Sequence, residues 1–231
     1  PYQLLAAYRA ADEGVPGPVR NALEDAMELA ISNVPAVDGQ VYVCPDVSAS
    51  MGSPVTGRRR GATTAIRCVD VAALIAAAVV RRNPMAEVLP FEHRVVPLRL
   101  SPRDTVMTNA ERLAAVGGGG TSVSAPLAVL NARRASGDLV VIVSDYESWC
   151  DLPQYRGTAT LREWTKFRAR NPHARLVLID LQPYATTQAL EREDILNVGG
   201  FSDAVFDVIS EFAAGRLSSS HWVGQIESVA L

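Results

Sequence analysis

Lysine is almost missing from this 231-residue chain: Lys166 is the only one among 22 basic residues, and the rest are arginine. With 25 Asp and Glu the net charge is −3, which excludes a protein that holds polyanions by its overall charge and leaves room only for local basic patches. The three cysteines, Cys44, Cys68 and Cys150, are odd in number and lack metal-ligand spacing, so neither a disulfide framework nor a zinc site is indicated. Cys44 falls in a strand pattern and Cys68 in a helix pattern, where a thiol acts as a small hydrophobe and a reducing, cytoplasmic setting is expected. His93, His173 and His221 lie in separate elements and give no Ser–His–Asp arrangement. No signal peptide is present, and the longest apolar run, Val69 to Val80, contains Asp70 and is too short to span a bilayer. The chain opens on Pro1 without methionine, as a fragment of something longer would.

What is present is an alternation of strands and helices. Residues 1–38 read as a short helical segment: Tyr2-Gln-Leu-Leu-Ala-Ala-Tyr is apolar, Pro16-Gly-Pro18 breaks the chain, and Val19, Leu23, Met27 and Ile31 recur at helical spacing. Residues 39–215 form the main domain. Its expected strands are Gln40–Asp46, Glu87–Phe91, Arg94–Leu98, Asp138–Asp145, Arg175–Leu181 and Ile195–Val198. Its expected helices are Thr63–Arg82, Thr105–Ala115, Ser124–Arg134, Thr160–Arg170 and Asp203–Phe212. Residues 216–231, with Trp222, Val223, Ile226 and Val229, read as an amphipathic tail helix. The fold class is therefore α/β: a doubly wound, mostly parallel six-stranded sheet with helices on both faces, plus the N-terminal helices. Such sheets bind ligands beyond the carboxyl ends of their strands.

Two strands run apolar into a carboxylate, Asp46 and Asp145, and would deliver both to that edge. Asp46-Val-Ser48-Ala-Ser50 follows the first strand directly, so a turn would gather one carboxylate and two hydroxyls. These are hard oxygen donors, suited to Mg²⁺ or Mn²⁺ rather than to zinc or copper. Thr121 follows Gly117–Gly120, whose backbone can pass close to an ion; with no Lys-Ser/Thr after it, that stretch is no P-loop. Arg58-Arg59-Arg60 is either a solvated turn or a phosphate clamp beside the site. Tyr146 and Trp149 follow Asp145 and either stack on a base or partner, or pack beneath the loop. Glu147 would be a supporting carboxylate or a base; no further carboxylates suggest a two-metal hydrolase.

Asp-x-Ser-x-Ser, a lone Thr and an Asp after an apolar strand together resemble the metal-ion-dependent adhesion site of von Willebrand factor A domains. The resemblance implies that Ser48, Ser50 and Thr121 are direct ligands in one state, with Asp46 and Asp145 bound directly or through water. It also implies one coordination position left open for an acidic group of a partner. The runs DVSASM, GGGGTSVSAPL, VIVSDYESW and GGFSDAVFDVISEF are similar to the C-terminal half of the Ro autoantigen (TROVE-domain) family. That likeness implies a non-catalytic A domain that clips shut a ring of helical repeats. Such rings bind small noncoding Y RNAs and structured RNAs, and bacterial members are associated with ribosomal RNA maturation and exoribonucleases. Most of the ring would lie outside this chain. The alternative is a metal-dependent protein-docking A domain unrelated to RNA.

Overall fold

The structure, a computed structural model, describes residues 2–11, 14–31, 34, 36–56, 66–145, 159–182, 192–202 and 204–216. Five strands form one all-parallel sheet: β1 (Val41–Pro45), β2 (Glu87–Val88), β3 (Leu139–Ser144), β4 (Arg175–Asp180) and β5 (Ile195–Gly199), in the order β2-β1-β3-β4-β5. The central strands β1 and β3 are buried along their whole length, which is why VYVCP and LVVIVS read as unbroken apolar runs rather than alternations.

Period-two geometry splits their side chains between two cores. Val41, Val43, Leu139, Val141, Val143, Val177 and Ile179 face α3 (Cys68–Arg82), α4 (Val106–Ala114) and α7 (Ala204–Ala213). Tyr42, Cys44, Val140, Ile142, Leu176 and Leu178 face α5 (Ala125–Ala132) and α6 (Ala159–Arg170), where Trp164 stacks on Phe167 with centroids 5.6 Å apart. Every residue of α3 from Cys68 to Val80 is buried. This explains its alanines: a helix covered on all sides has no place for long polar side chains. The N-terminal helices α1 (Tyr2–Ala10) and α2 (Gly17–Ala30) add Leu5 and Met27 to the same core, joined by Ile31 just beyond α2. Among the described residues no helix is long and apolar enough to cross a membrane.

Two expectations change. The sheet has five strands among the described residues, not six. Residues 94–98 meet the sheet edge through the isolated bridge Phe91–Val95 and the Val96 N–H to Pro90 O bond (2.7 Å) without forming a strand. β2 stops at Val88, although the Leu89 and Phe91 N–H groups still donate to Val43 O and Pro45 O. Pro90 and Pro97 account for the missing sixth strand, since neither has an N–H to give to a ladder on that outer edge. Helix α3 begins at Cys68, whereas Thr63 was the expected start; Ile66 and Arg67 are already non-helical. The Asp70 carboxylate caps it by accepting from the Arg67 backbone N–H at 3.0 Å. Of the expected tail helix, residues 216–231, all but Arg216 lie outside the described residues, as does Cys150.

Two buried carboxylates bolt the frame. Asp70 accepts from Arg67 (2.8 Å) and from Arg9 of α1 (3.0 Å), tying the N-terminal helices to α3. Asp194 accepts from the Trp164 indole (2.8 Å) and pairs with Arg168 and Arg192. Burial pulls both upward, but the hydrogen bonds and guanidinium charges outweigh it and hold both below the usual carboxylate range. A depressed folded-state pKa contributes stability above the unfolded value, and that stability is lost as pH falls through the folded value. The thermal midpoint should therefore fall steeply below about pH 4. An Asp70→Asn/Asp194→Asn variant should melt lower near neutrality and lose less on acidification; an unchanged slope would contradict the assignment.

Candidate metal centre

The strand order reverses between β1 and β3, and Asp46 and Asp145 leave the ends of those two strands side by side. The ladder carries one step past β1: the Asp46 N–H donates to Val143 O at 2.8 Å, and the Val47 N–H to Phe91 O at 2.8 Å. The Asp46 carboxylate then turns the chain. Oδ1 accepts from the Ser48 N–H (2.8 Å), and Oδ2 accepts from the Ser144 hydroxyl (2.6 Å). Ser48 enters a 3₁₀ turn, Ala49–Gly52, which brings Ser48 Oγ to 3.2 Å from Ser50 Oγ. Ser50 Oγ in turn donates to Asp145 Oδ1 at 3.2 Å. One unbroken chain of hydrogen bonds thus joins Asp46, Ser48, Ser50 and Asp145.

Thr121 arrives on the glycine loop. That loop is laced to the Asp46 loop by Gly118 N–H to Val47 O (2.9 Å) and Ala49 N–H to Gly119 O (2.9 Å). Gly117 sits at φ +93, a conformation that favours glycine, with Val47 packed against it. Asp46, Ser48, Thr121 and Asp145 are all buried. Thr121 is 1% exposed and its hydroxyl engages no hydrogen bond among the described residues, leaving a buried oxygen lone pair of the kind a bound cation would take.

Burial pushes the Asp46 carboxyl up to about 6; the hydrogen bonds from Ser144 and Ser48 pull it down, and the charge of Asp145 pushes it up again. Two buried carboxylates and three hydroxyls around one loop cluster form a hard, oxygen-only donor set. Among the described residues no group of three His, Cys, Asp or Glu could hold a metal, so an ion here would depend on the hydroxyls as much as on the carboxylates. Burial raises the Cys68 thiol to about 12, with the Asp145 charge adding to it, so this buried thiol is inert.

The sequence-predicted residues divide cleanly. Asp46, Ser48, Ser50 and Asp145 are joined directly, and Thr121 lies on the loop bonded to theirs. Arg58, Arg59, Arg60, Tyr146, Glu147 and Trp149 lie outside the described residues. Two participants escaped the sequence reading. Ser144, the last residue of β3, bonds Asp46 across the ladder; a hydroxyl ending an apolar strand beside a carboxylate was the available signal. Glu92 holds the glycine loop through the Gly119 N–H (2.7 Å), a contact spanning 27 positions with no local signature.

A parallel sheet whose switch point carries Asp-x-Ser-x-Ser on one strand end, Asp on the next and a glycine-led Thr beside them defines a von Willebrand factor A-type domain. The family model described as the Ro60 vWA domain matches residues 40–213, and the chain belongs to that family. It is 28% identical over 199 residues to the RNA-binding protein RO60 of Deinococcus radiodurans, covering 86% of this chain and 36% of that protein. The crystal structure of the D. radiodurans RO (RSR) protein matches with a TM-score of 0.72 at 25% identity, over 92% of this chain and 43% of that one. The chain therefore spans 36% of the length of its curated relative.

Proposed function

We propose that this chain is the non-catalytic, Mg²⁺-binding A domain of a Ro-type RNA-binding protein. The observation that carries the metal reading is the buried Thr121 hydroxyl, without a hydrogen-bond partner among the described residues, on a loop bonded to the Asp46–Ser48–Ser50–Asp145 chain. Ser48, Ser50 and Thr121 would hold the ion (Mg²⁺, or Mn²⁺ in its place), with Asp46 and Asp145 bound directly or through water. The ion would supply an electropositive point at the strand-end face that accepts an acidic group from a partner. Among the described residues no further carboxylate joins Asp46 and Asp145 to hold a second ion, which favours holding one ion over two-metal hydrolysis.

The RNA reading is supported by family membership and by the name of the D. radiodurans relative. In this reading the domain works in the cytoplasm, within a longer protein that takes small noncoding, Y RNA-like and structured RNAs. It would serve RNA quality control or ribosomal RNA maturation beside an exoribonuclease. Filter binding of a structured RNA with a single-stranded 3′ end tests it, in Mg²⁺ and in EDTA. The samples are this chain and the longest protein its gene encodes. The long protein should bind tightly and this chain weakly. No RNA binding by the long protein at moderate salt would overturn the reading and favour a protein ligand with an exposed carboxylate.

A further inference from the structure

We infer that Glu92 is the positioning residue of the metal centre: it fixes the backbone on both sides of Thr121 and so aims the Thr121 hydroxyl. The inference rests on the metal reading above. Phe91 bridges Asp46 and accepts from the Val47 N–H, so the chain from Phe91 to His93 runs out beside the Asp46 loop at the strand-end face. From there Glu92 grips the glycine loop twice. Its carboxylate Oε2 accepts from the Gly119 N–H at 2.7 Å, and its backbone carbonyl accepts from the Ser122 N–H at 2.9 Å. These two contacts bracket Gly120 and Thr121.

The remaining groups of Glu92 are also committed. Its own N–H donates to Arg94 O at 2.9 Å, and Oε1 faces His93 Nδ1 at 3.2 Å. The Glu92 side chain is only 13% exposed. The loop is gripped on its other side by the Asp46 segment, through Val47 and Ala49. Thr121 thus hangs between two clamps, while its own hydroxyl has no hydrogen bond among the described residues to hold it. The same contact gives residue 119 a reason to be glycine. A Cβ there would lie 2.5 Å from Glu92 Oε2 and 2.9 Å from His93 Nδ1, closer than side-chain atoms approach.

A group that orients a metal ligand from behind typically changes affinity by about 10–100-fold when removed. Calorimetric titration of Mg²⁺ into the wild type, Glu92→Ala and Glu92→Gln is the test, with the metal-free thermal midpoint recorded for each. Glu92→Ala should weaken Mg²⁺ binding at least about tenfold. Glu92→Gln retains an oxygen acceptor for the Gly119 N–H and should bind close to wild type. Unchanged affinity in Glu92→Ala overturns the assignment. So does an equal loss in Glu92→Gln, because charge rather than the hydrogen bond would then be responsible. If Glu92→Ala does not fold, Gly119→Ala displaces the carboxylate without deleting it and should show the same loss; full affinity in that variant would overturn the inference. Absence of Mg²⁺ binding in the wild type would instead sink the metal reading itself, an outcome distinct from wild-type binding with an indifferent Glu92.

Discussion

Asp46→Asn is expected to stabilise the metal-free protein and to abolish Mg²⁺ binding. Desolvation dominates at this position, raising the carboxyl to about 6. Ionising it in the folded protein near neutrality therefore costs on the order of 3 kcal/mol relative to the unfolded chain. Asparagine removes that cost. Its carbonyl oxygen can still accept from the Ser48 N–H, and its amide can donate to the Ser144 hydroxyl that now donates to Asp46. After some loss of hydrogen-bond quality, a net gain of about 2 kcal/mol remains, or roughly 4–8 °C in thermal midpoint.

The sign in pH is opposite to that of Asp70 and Asp194. A raised folded-state pKa makes stability greatest below the unfolded value and erodes it as pH rises towards about 6. The metal-free wild type should lose stability between about pH 4 and about pH 6, and Asp46→Asn should not. Thermal melts with EDTA across that range check both statements. A variant less stable than the wild type at pH 7 would show that Asp46 has a structural role in place of a metal-holding one. This is the stability cost expected where a site keeps a buried charge ready for a ligand.

Gly117→Ala carries the other large effect. A Cβ at this position would lie 2.1 Å from the backbone carbonyl oxygen of Val47, in a conformation with φ +93. Backbone cannot yield as the tip of a flexible side chain can, so the loop must move. The positive φ alone costs about 1–3 kcal/mol, and displacing the loop also breaks the Gly118 N–H to Val47 O bond. A loss of about 3 kcal/mol or more in urea unfolding is expected, together with loss of Mg²⁺ binding, because Thr121 travels on the same loop. Gly118→Ala is the comparison. Gly118 also has positive φ but open space where its Cβ would go, so only the strain should register. Equal effects at the two positions would contradict the packing argument.

These residues also show where the sequence was readable. The strand-end carboxylates Asp46 and Asp145 announced themselves because apolar runs end on them, and buried parallel strands have no other place to put a charge. Ser48, Ser50 and Thr121 were legible through local spacing and through the glycines ahead of Thr121. Glu92 was not, because its role depends on a contact to Gly119 that only the folded chain creates. Nor was the loss of a sixth strand read correctly, although Pro90 and Pro97 stood in the pattern. There the apolar spacing of Val95, Val96 and Leu98 imitated a strand, but Pro97 has no N–H to carry the Val96 N–H to Pro90 O bond on into a ladder.

Titrating Mg²⁺ into this chain at pH 7.5 by calorimetry, with Thr121→Val as the control, tests the central claim most directly. Valine keeps the buried shape and removes only the hydroxyl. The account predicts saturable one-to-one binding by the wild type and loss of most of that affinity in Thr121→Val, with the fold intact by circular dichroism. Wild-type binding that survives the loss of the hydroxyl, or no binding at millimolar Mg²⁺, would contradict it.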